Sequence, residues 1–211
     1  MQATLDFPLP LAEKYRPKTL DGFIGLEKQR KILSNFARAP KCGAWLFLGP
    51  SGTGKSTAAM ALAEEMQAEL HCIPSQNCNV QGIDDVCRMC SYVPMFGKTF
   101  HMILADEADQ MSQAAQIKLL SKLDSTDRLP QTVWVFTAND TERLEKRFLS
   151  RCWVLEFSSY GLRSPLAELL AKIWEQETGR PGELNWDRIA KESNTNVRAA
   201  LSVLEMELLA A

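Results

Sequence analysis

Eight consecutive residues carry the clearest chemistry in this chain of 211 residues. Gly49, Pro50, Ser51, Gly52, Thr53, Gly54, Lys55 and Ser56 fit the spacing G-x-x-x-x-G-K-[ST]. Glycines at those places let successive backbone N–H groups turn inward around phosphate oxygens. A helix that begins at the end of the run adds the positive end of its dipole. Lys55 can reach the outer phosphates, the Ser56 hydroxyl can bind Mg2+, and Thr57 continues the same phosphate-facing turn. Type and spacing together indicate a nucleoside-phosphate site.

A second centre lies about fifty residues on. The apolar run Met102-Ile103-Leu104-Ala105 ends in Asp106-Glu107. Carboxylates at the end of a buried strand are costly unless they meet a cation or solvent, and parallel sheets present ligand sites at that end. Asp106 suits a Mg2+ shell, and Glu107 suits the orientation or deprotonation of an attacking water. Positioning and charge neutralisation are what phosphoryl transfer requires.

The elements that must hold these residues alternate along the chain. Residues 44–48, 69–73, 100–105, 132–138 and 152–157 read as strands, and 26–38, 57–66, 83–92, 112–123 and 144–149 as helices. The near-continuous apolar strands fit a sheet covered on both faces. This predicts an α/β domain with a mainly parallel sheet over residues 1–158, entered by an irregular arm over 1–20 with Pro8, Pro10 and Pro17. After Ser158 no strand is expected. Helices over 165–177, 187–193 and 197–209 predict a small helical domain over 159–211.

Composition narrows the class. The net charge of -2 gives no bulk attraction to nucleic acid, although residues 1–41 hold eight Lys or Arg against four acids. No apolar run reaches the roughly 20 residues of a membrane helix. The N-terminus has neither the basic start nor the apolar stretch of a secretory signal. A cytoplasmic location is expected, with the six cysteines as reduced thiols or metal ligands.

Further motifs carry a family resemblance. Residues 13–25 (EKYRPKTLDGFIG) resemble the opening motif of clamp-loader ATPases, and Asp106-Glu107-Ala108-Asp109 resembles their second nucleotide motif. Ser150-Arg151-Cys152 is similar to their Ser-Arg-Cys signature, and residues 196–201 (NVRAAL) to their last motif. Order and spacing resemble the small subunits of replication factor C and, less closely, the bacterial gamma subunit of DNA polymerase III. The resemblance implies an AAA+ ATPase with a P-loop domain and a helical lid. It implies ATP and Mg2+ as ligands, with Ile24 and Gly25 against the adenine. Asn139 takes the sensor-one position, Arg198 the sensor-two position on the lid, and Arg151 that of a finger acting on ATP held by a neighbouring subunit.

The resemblance also implies partners: other AAA+ subunits, DNA and a sliding clamp. DNA phosphates would meet helix N-termini at residues 82–84 and at Ser112 and Gln113, although Gln81 stands where relatives often carry a basic residue. Tyr92, Val93, Met95 and Phe96 follow a helix that touches the clamp in relatives, with core packing the favoured reading here. Cys72, Cys78, Cys87 and Cys90 include one C-x-x-C pair and no second, so they are read as buried structural thiols and no zinc is expected. Family subunits continue into a third helical collar domain beyond the lid. Without one, assembly would rest on nucleotide-bridged contacts, another subunit or DNA. A helicase loader, a repair or restart remodeller, and a nucleotide-binding scaffold subunit stay open as alternatives.

Overall fold

A computed structural model describes residues 8–95, 97–124 and 129–210. The chain divides into two compact units. One spans Pro17–Ser158, and the other joins the chain up to Arg16 with the chain from Ser159 onward.

The larger unit is built on five parallel strands: β1 (Gly43–Leu48), β2 (Ala68–Ile73), β3 (Phe100–Ala105), β4 (Thr132–Ala138) and β5 (Trp153–Glu156), in the order β2-β3-β4-β1-β5. Every residue of β4 is buried, because it lies between β1 and β3 and is covered on both faces. Registers such as Leu48↔Ala138 and Ala105↔Phe136 bring the C-terminal ends of β1, β4 and β3 side by side. On one face, α2 (Glu27–Arg38) and α3 (Lys55–Glu65) bury Leu33, Ala58 and Leu62 against Phe47, Val135 and Leu104. On the other, α4 (Val80–Met89), α5 (Gln113–Leu123) and α6 (Lys146–Leu149) bury Ile83, Leu119 and Phe148 against Leu46, Ile103 and Phe136.

The predicted elements differ from the observed ones in instructive places. Residues 83–92 were expected to be helical, but α4 starts at Val80 because the Asn79 side chain caps it, accepting from Gly82 N–H at 3.0 Å. The helix ends at Met89. Tyr92, Val93 and Met95 fall in the connection beyond it, where they are exposed at 73%, 83% and 58%, so core packing is not their role; Phe96 lies outside the described residues. Cys72 is exposed because β2 is the edge strand, whereas Cys78, Cys87 and Cys90 are buried. Ser112 caps α5 as expected, accepting from Ala115 N–H at 3.2 Å.

The smaller unit contains α7 (Arg163–Thr178), α8 (Trp186–Glu192) and α9 (Val197–Ala210), which bury Leu166, Leu170, Ala190 and Leu204. The arm was expected to be irregular and to belong with the sheet. Instead it forms α1 (Leu11–Lys14) and packs in the helical unit. Leu11 is buried, Leu11 N–H donates to Glu205 at 3.4 Å, and Lys14 and Tyr15 both donate to the Glu177 carboxylate. Desolvation and that carboxylate push the Tyr15 phenol up to about 12.

A buried glutamine ties two segments of the larger unit. Gln116 of α5 donates to Arg143 C=O at 2.9 Å and accepts from Glu145 N–H at 2.8 Å, which fixes the turn that leads into α6. Gln116→Leu keeps the bulk but strands a buried N–H and a buried C=O. It is expected to destabilise the fold by about 1–3 kcal/mol, read as a lower urea midpoint at unchanged slope.

Candidate nucleotide site

The loop between β1 and α3 is shaped by glycines in conformations that other residues avoid. Gly49, Gly52 and Gly54 have φ of 152°, 78° and 90°. A Cβ on Gly49 would lie 2.0 Å from Phe157 C=O, and one on Gly54 would lie 3.1 Å from the Phe23 ring. The second contact places the segment of Phe23, Ile24 and Gly25 against the loop, with Ile24 and Gly25 half-buried. Pro50 and Ser51 are exposed at the loop tip, and Thr53 is buried with its hydroxyl on Pro50 C=O at 2.8 Å. Helix α3 begins at Lys55, two residues earlier than predicted, so Lys55, Ser56 and Thr57 form its first turn.

Lys55 is buried and its ammonium donates to Gly49 C=O at 2.5 Å, Pro50 C=O at 2.9 Å and Asn139 Oδ1 at 3.1 Å. Ser56 Oγ donates to Asp106 Oδ1 at 2.6 Å. The same carboxylate oxygen accepts from Thr137 Oγ1 at 2.9 Å, and Thr137 Oγ1 in turn accepts from Glu107 N–H at 3.0 Å. Glu107 is exposed, with φ of 53°, so the chain turns sharply and leaves its carboxylate at the surface beside Asp106. Lys55, Ser56, Asp106, Glu107 and Asn139 are thus gathered at one end of the sheet.

Thr137 is the residue that sequence reasoning missed. It lies within an apolar strand and belongs to no motif. Its only signal is a polar β-branched residue two positions before Asn139. The pair Ser56 Oγ and Asp106 Oδ1 offers hard oxygen donors, the type that suits Mg2+.

Arg151 is held by other partners. Arg151 forms a bidentate pair with Asp124, the residue that ends α5, at 2.7 and 3.1 Å, and also donates to Arg147 C=O at 2.8 Å. That pairing raises the guanidinium pKa further. Arg198 is exposed near the start of α9 in the helical unit. Of the expected DNA contacts, the Gly82 N–H is already used by Asn79, and Ser112 is used as a cap.

A phosphate loop after β1, a carboxylate after β3 and an asparagine after β4 define a P-loop nucleotide-binding protein. The sequence profile of the ATPase family associated with various cellular activities (AAA) matches residues 45–160, more than half of the chain, and the chain belongs to that family. It is 31% identical over 93% of its length to replication factor C subunit 3 of Blastobotrys adeninivorans. It is 31% identical over 92% of its length to replication factor C small subunit 1 of Pyrobaculum arsenaticum. The chain spans 60% of the length of each of these relatives. Among solved structures, the RuvB Holliday junction branch migration motor of Thermotoga maritima matches with a TM-score of 0.74 at 26% identity, covering 90% of this chain and 64% of that one. No helix among the described residues is long and apolar enough to cross a membrane.

Thr137→Val removes the hydroxyl that holds both Asp106 and the Glu107 backbone. Nucleotide turnover is expected to fall about 10- to 100-fold, as for residues that orient metal ligands. ADP affinity should stay near wild type, because the phosphate loop is untouched. Steady-state turnover and a fluorescent-nucleotide titration of the same preparation check both halves.

Proposed function

We propose that this chain is an ATP-hydrolysing subunit of a clamp-loader-like assembly acting in DNA replication or repair. The observation that carries this reading is the joining of Lys55, Ser56, Asp106 and Asn139 at one sheet end, in a chain 31% identical over 93% of its length to a replication factor C subunit.

In this reading the loop amides and Lys55 bind the phosphates of ATP, with Ile24 and Gly25 beside the adenine. Ser56 and Asp106 would hold Mg2+, which neutralises phosphate charge when bound. Glu107 orients and deprotonates the attacking water. Asn139 reports on the outer phosphate through its contact with Lys55, and Arg198 approaches the phosphates from the lid. Arg151 serves the nucleotide of a neighbouring subunit. Its pair with Asp124 keeps the guanidinium ordered, and exchange of that carboxylate for a phosphate preserves its charge neutralisation.

DNA and a sliding clamp are the proposed partners, alongside other AAA+ subunits. The starts of α4 and α5 are both capped by their own side chains, so a DNA phosphate at either would meet an N-terminus already engaged by Asn79 or Ser112. The exposed Tyr92, Val93 and Met95 suit an apolar docking contact with a clamp. A second reading, a DNA branch-migration or repair motor, is favoured by the likeness to RuvB.

Turnover should rise with primed DNA and the cognate clamp together; no stimulation by either would remove the leading reading, and stimulation by junction DNA alone would favour the second. Lys55→Ala should abolish nucleotide binding, and Glu107→Gln should bind ATP without turnover. Arg151→Ala should bind ATP normally and lose about three or more orders of magnitude in rate. Mixing the Glu107→Gln and Arg151→Ala chains should restore part of the rate, because each supplies what its neighbour lacks. A normal rate in Arg151→Ala would place that residue outside the reaction, and mixtures no faster than the separate variants would show that it does not serve a neighbour's nucleotide.

A further inference from the structure

A second group of ligand-type side chains sits at the opposite end of the sheet from the nucleotide site. Strands β2 and β3 pair in the register Glu69↔His101 and His71↔Ile103, so Glu69, His71 and His101 project from one face near the strand starts. Cys90, which ends α4, meets them there. The ligand atoms of His71, Cys90 and His101 all lie within 4.8 Å of one another. His71 Nε2 and His101 Nδ1 are 3.0 Å apart. Glu69 Oε2 lies 3.6 Å from His101 Nδ1 and accepts from Met95 N–H at 2.8 Å. Cys90 and His101 are 0% and 2% exposed, while His71 is half-buried and opens the group towards solvent.

The tautomer of His101 follows from its partners. Its Nε2 is 2.8 Å from Tyr92 C=O. A carbonyl only accepts, so Nε2 carries the proton, and in the neutral ring Nδ1 presents a lone pair to the group. Metal-ligating histidines are held in this way, with the second ring nitrogen donating to a carbonyl or carboxylate. Without an ion, the His71 Nε2–H fills that lone pair. Burial and the neighbouring imidazole lower the His71 pKa, and burial pushes the Cys90 thiol up to about 12.

We propose that His71, Cys90 and His101 form a structural zinc site, whose fourth ligand Glu69 supplies by turning its carboxylate, now 3.6 Å from His101, inward. Zn–N distances of about 2.0–2.1 Å in a tetrahedron place two imidazole nitrogens roughly 3.3 Å apart, a few tenths of an ångström from the spacing present. Two imidazoles, a thiolate and a carboxylate select Zn2+ over Mg2+. On binding, Cys90 forms an S–Zn bond and its proton passes to solvent. His71 pairs with Ile103 and His101 is the second residue of β3, so about 10–16 Å of strand separates this site from Asp106. The ion clamps edge strand β2 to β3 and to the end of α4. Of the four cysteines in the interval, only Cys90 takes part; the sequence pattern concealed the site because its other ligands are histidines and an acid from two different strands.

The test uses the full chain without a polyhistidine tag, stripped by a chelator and titrated with Co2+. About one Co2+ per chain is expected, with tetrahedral ligand-field bands and a thiolate-to-cobalt charge-transfer band, all displaced by Zn2+. Cys90→Ser should remove the charge-transfer band, and His71→Gln or His101→Gln should each weaken Co2+ binding at least about tenfold. Cys72→Ser and Cys87→Ser should leave the spectrum unchanged. Zn2+ should raise the Tm of the stripped wild type and not that of Cys90→Ser, with circular dichroism confirming the fold. No saturable Co2+ binding by the stripped wild type overturns the proposal, whatever the variants do. So does a charge-transfer band that survives Cys90→Ser, or one that is lost in Cys87→Ser.

Discussion

One carboxylate oxygen holds the nucleotide end of this protein together. Asp106 Oδ1 accepts from Ser56, the second residue of α3, and from Thr137, the last but one of β4. A carboxylate at a buried strand end needs such donors, because its desolvation is otherwise uncompensated. Strand order makes the arrangement available. β4 lies between the strand that feeds the phosphate loop and the strand that ends in Asp106. It therefore reaches both, through Thr137 on one side and Asn139 to Lys55 on the other. Pulling any one of these three strands out of register would misplace the other two.

How much of this was legible in the sequence depended on whether the determinant was local. The phosphate loop is a contiguous backbone instruction, and its glycines specify its shape wherever it occurs. The buried strands β1, β3 and β4 announced themselves as apolar runs, and Ser112 as a cap. What depends on a distant partner was not legible. Thr137 reads as an ordinary strand residue until β3 is placed beside it. Gln116 reads as a surface glutamine until the turn at 143–145 covers it. Asn79 caps α4, which starts three residues earlier than expected, and the helix ends at Met89, leaving Tyr92 and Val93 beyond it and exposed. His71 and His101 are 30 residues apart and meet only because β2 and β3 pair.

The arm shows the same principle at the level of units. Three prolines suggested an unstructured lead-in, yet Leu11, Lys14 and Tyr15 find Glu205 and Glu177 in the helical unit. Among the described residues, the chain lies in the helical unit up to Arg16, crosses to the sheet at Pro17 and returns at Ser159. Two crossings join the units, and the polypeptide between them carries the phosphate loop, both acids and Arg151.

Gly49 forms the root of the phosphate loop, directly after β1. Its N–H donates to Ala138 C=O at 3.1 Å, and the residue before it, Leu48, accepts from Phe157 N–H at 2.6 Å. With Phe157 C=O where a side chain would have stood, the loop is clamped at its root by β4 on one side and by the end of β5 on the other. It is clamped again where α3 begins. What remains is a short span held at both ends, with its free part at the exposed tip around Pro50 and Ser51. Force applied to such a beam appears at its fixed ends. A push at the tip is therefore taken up at the start of α3, at Ala138, one residue before Asn139, and at Phe157, two residues before the chain passes to the helical unit at Ser159.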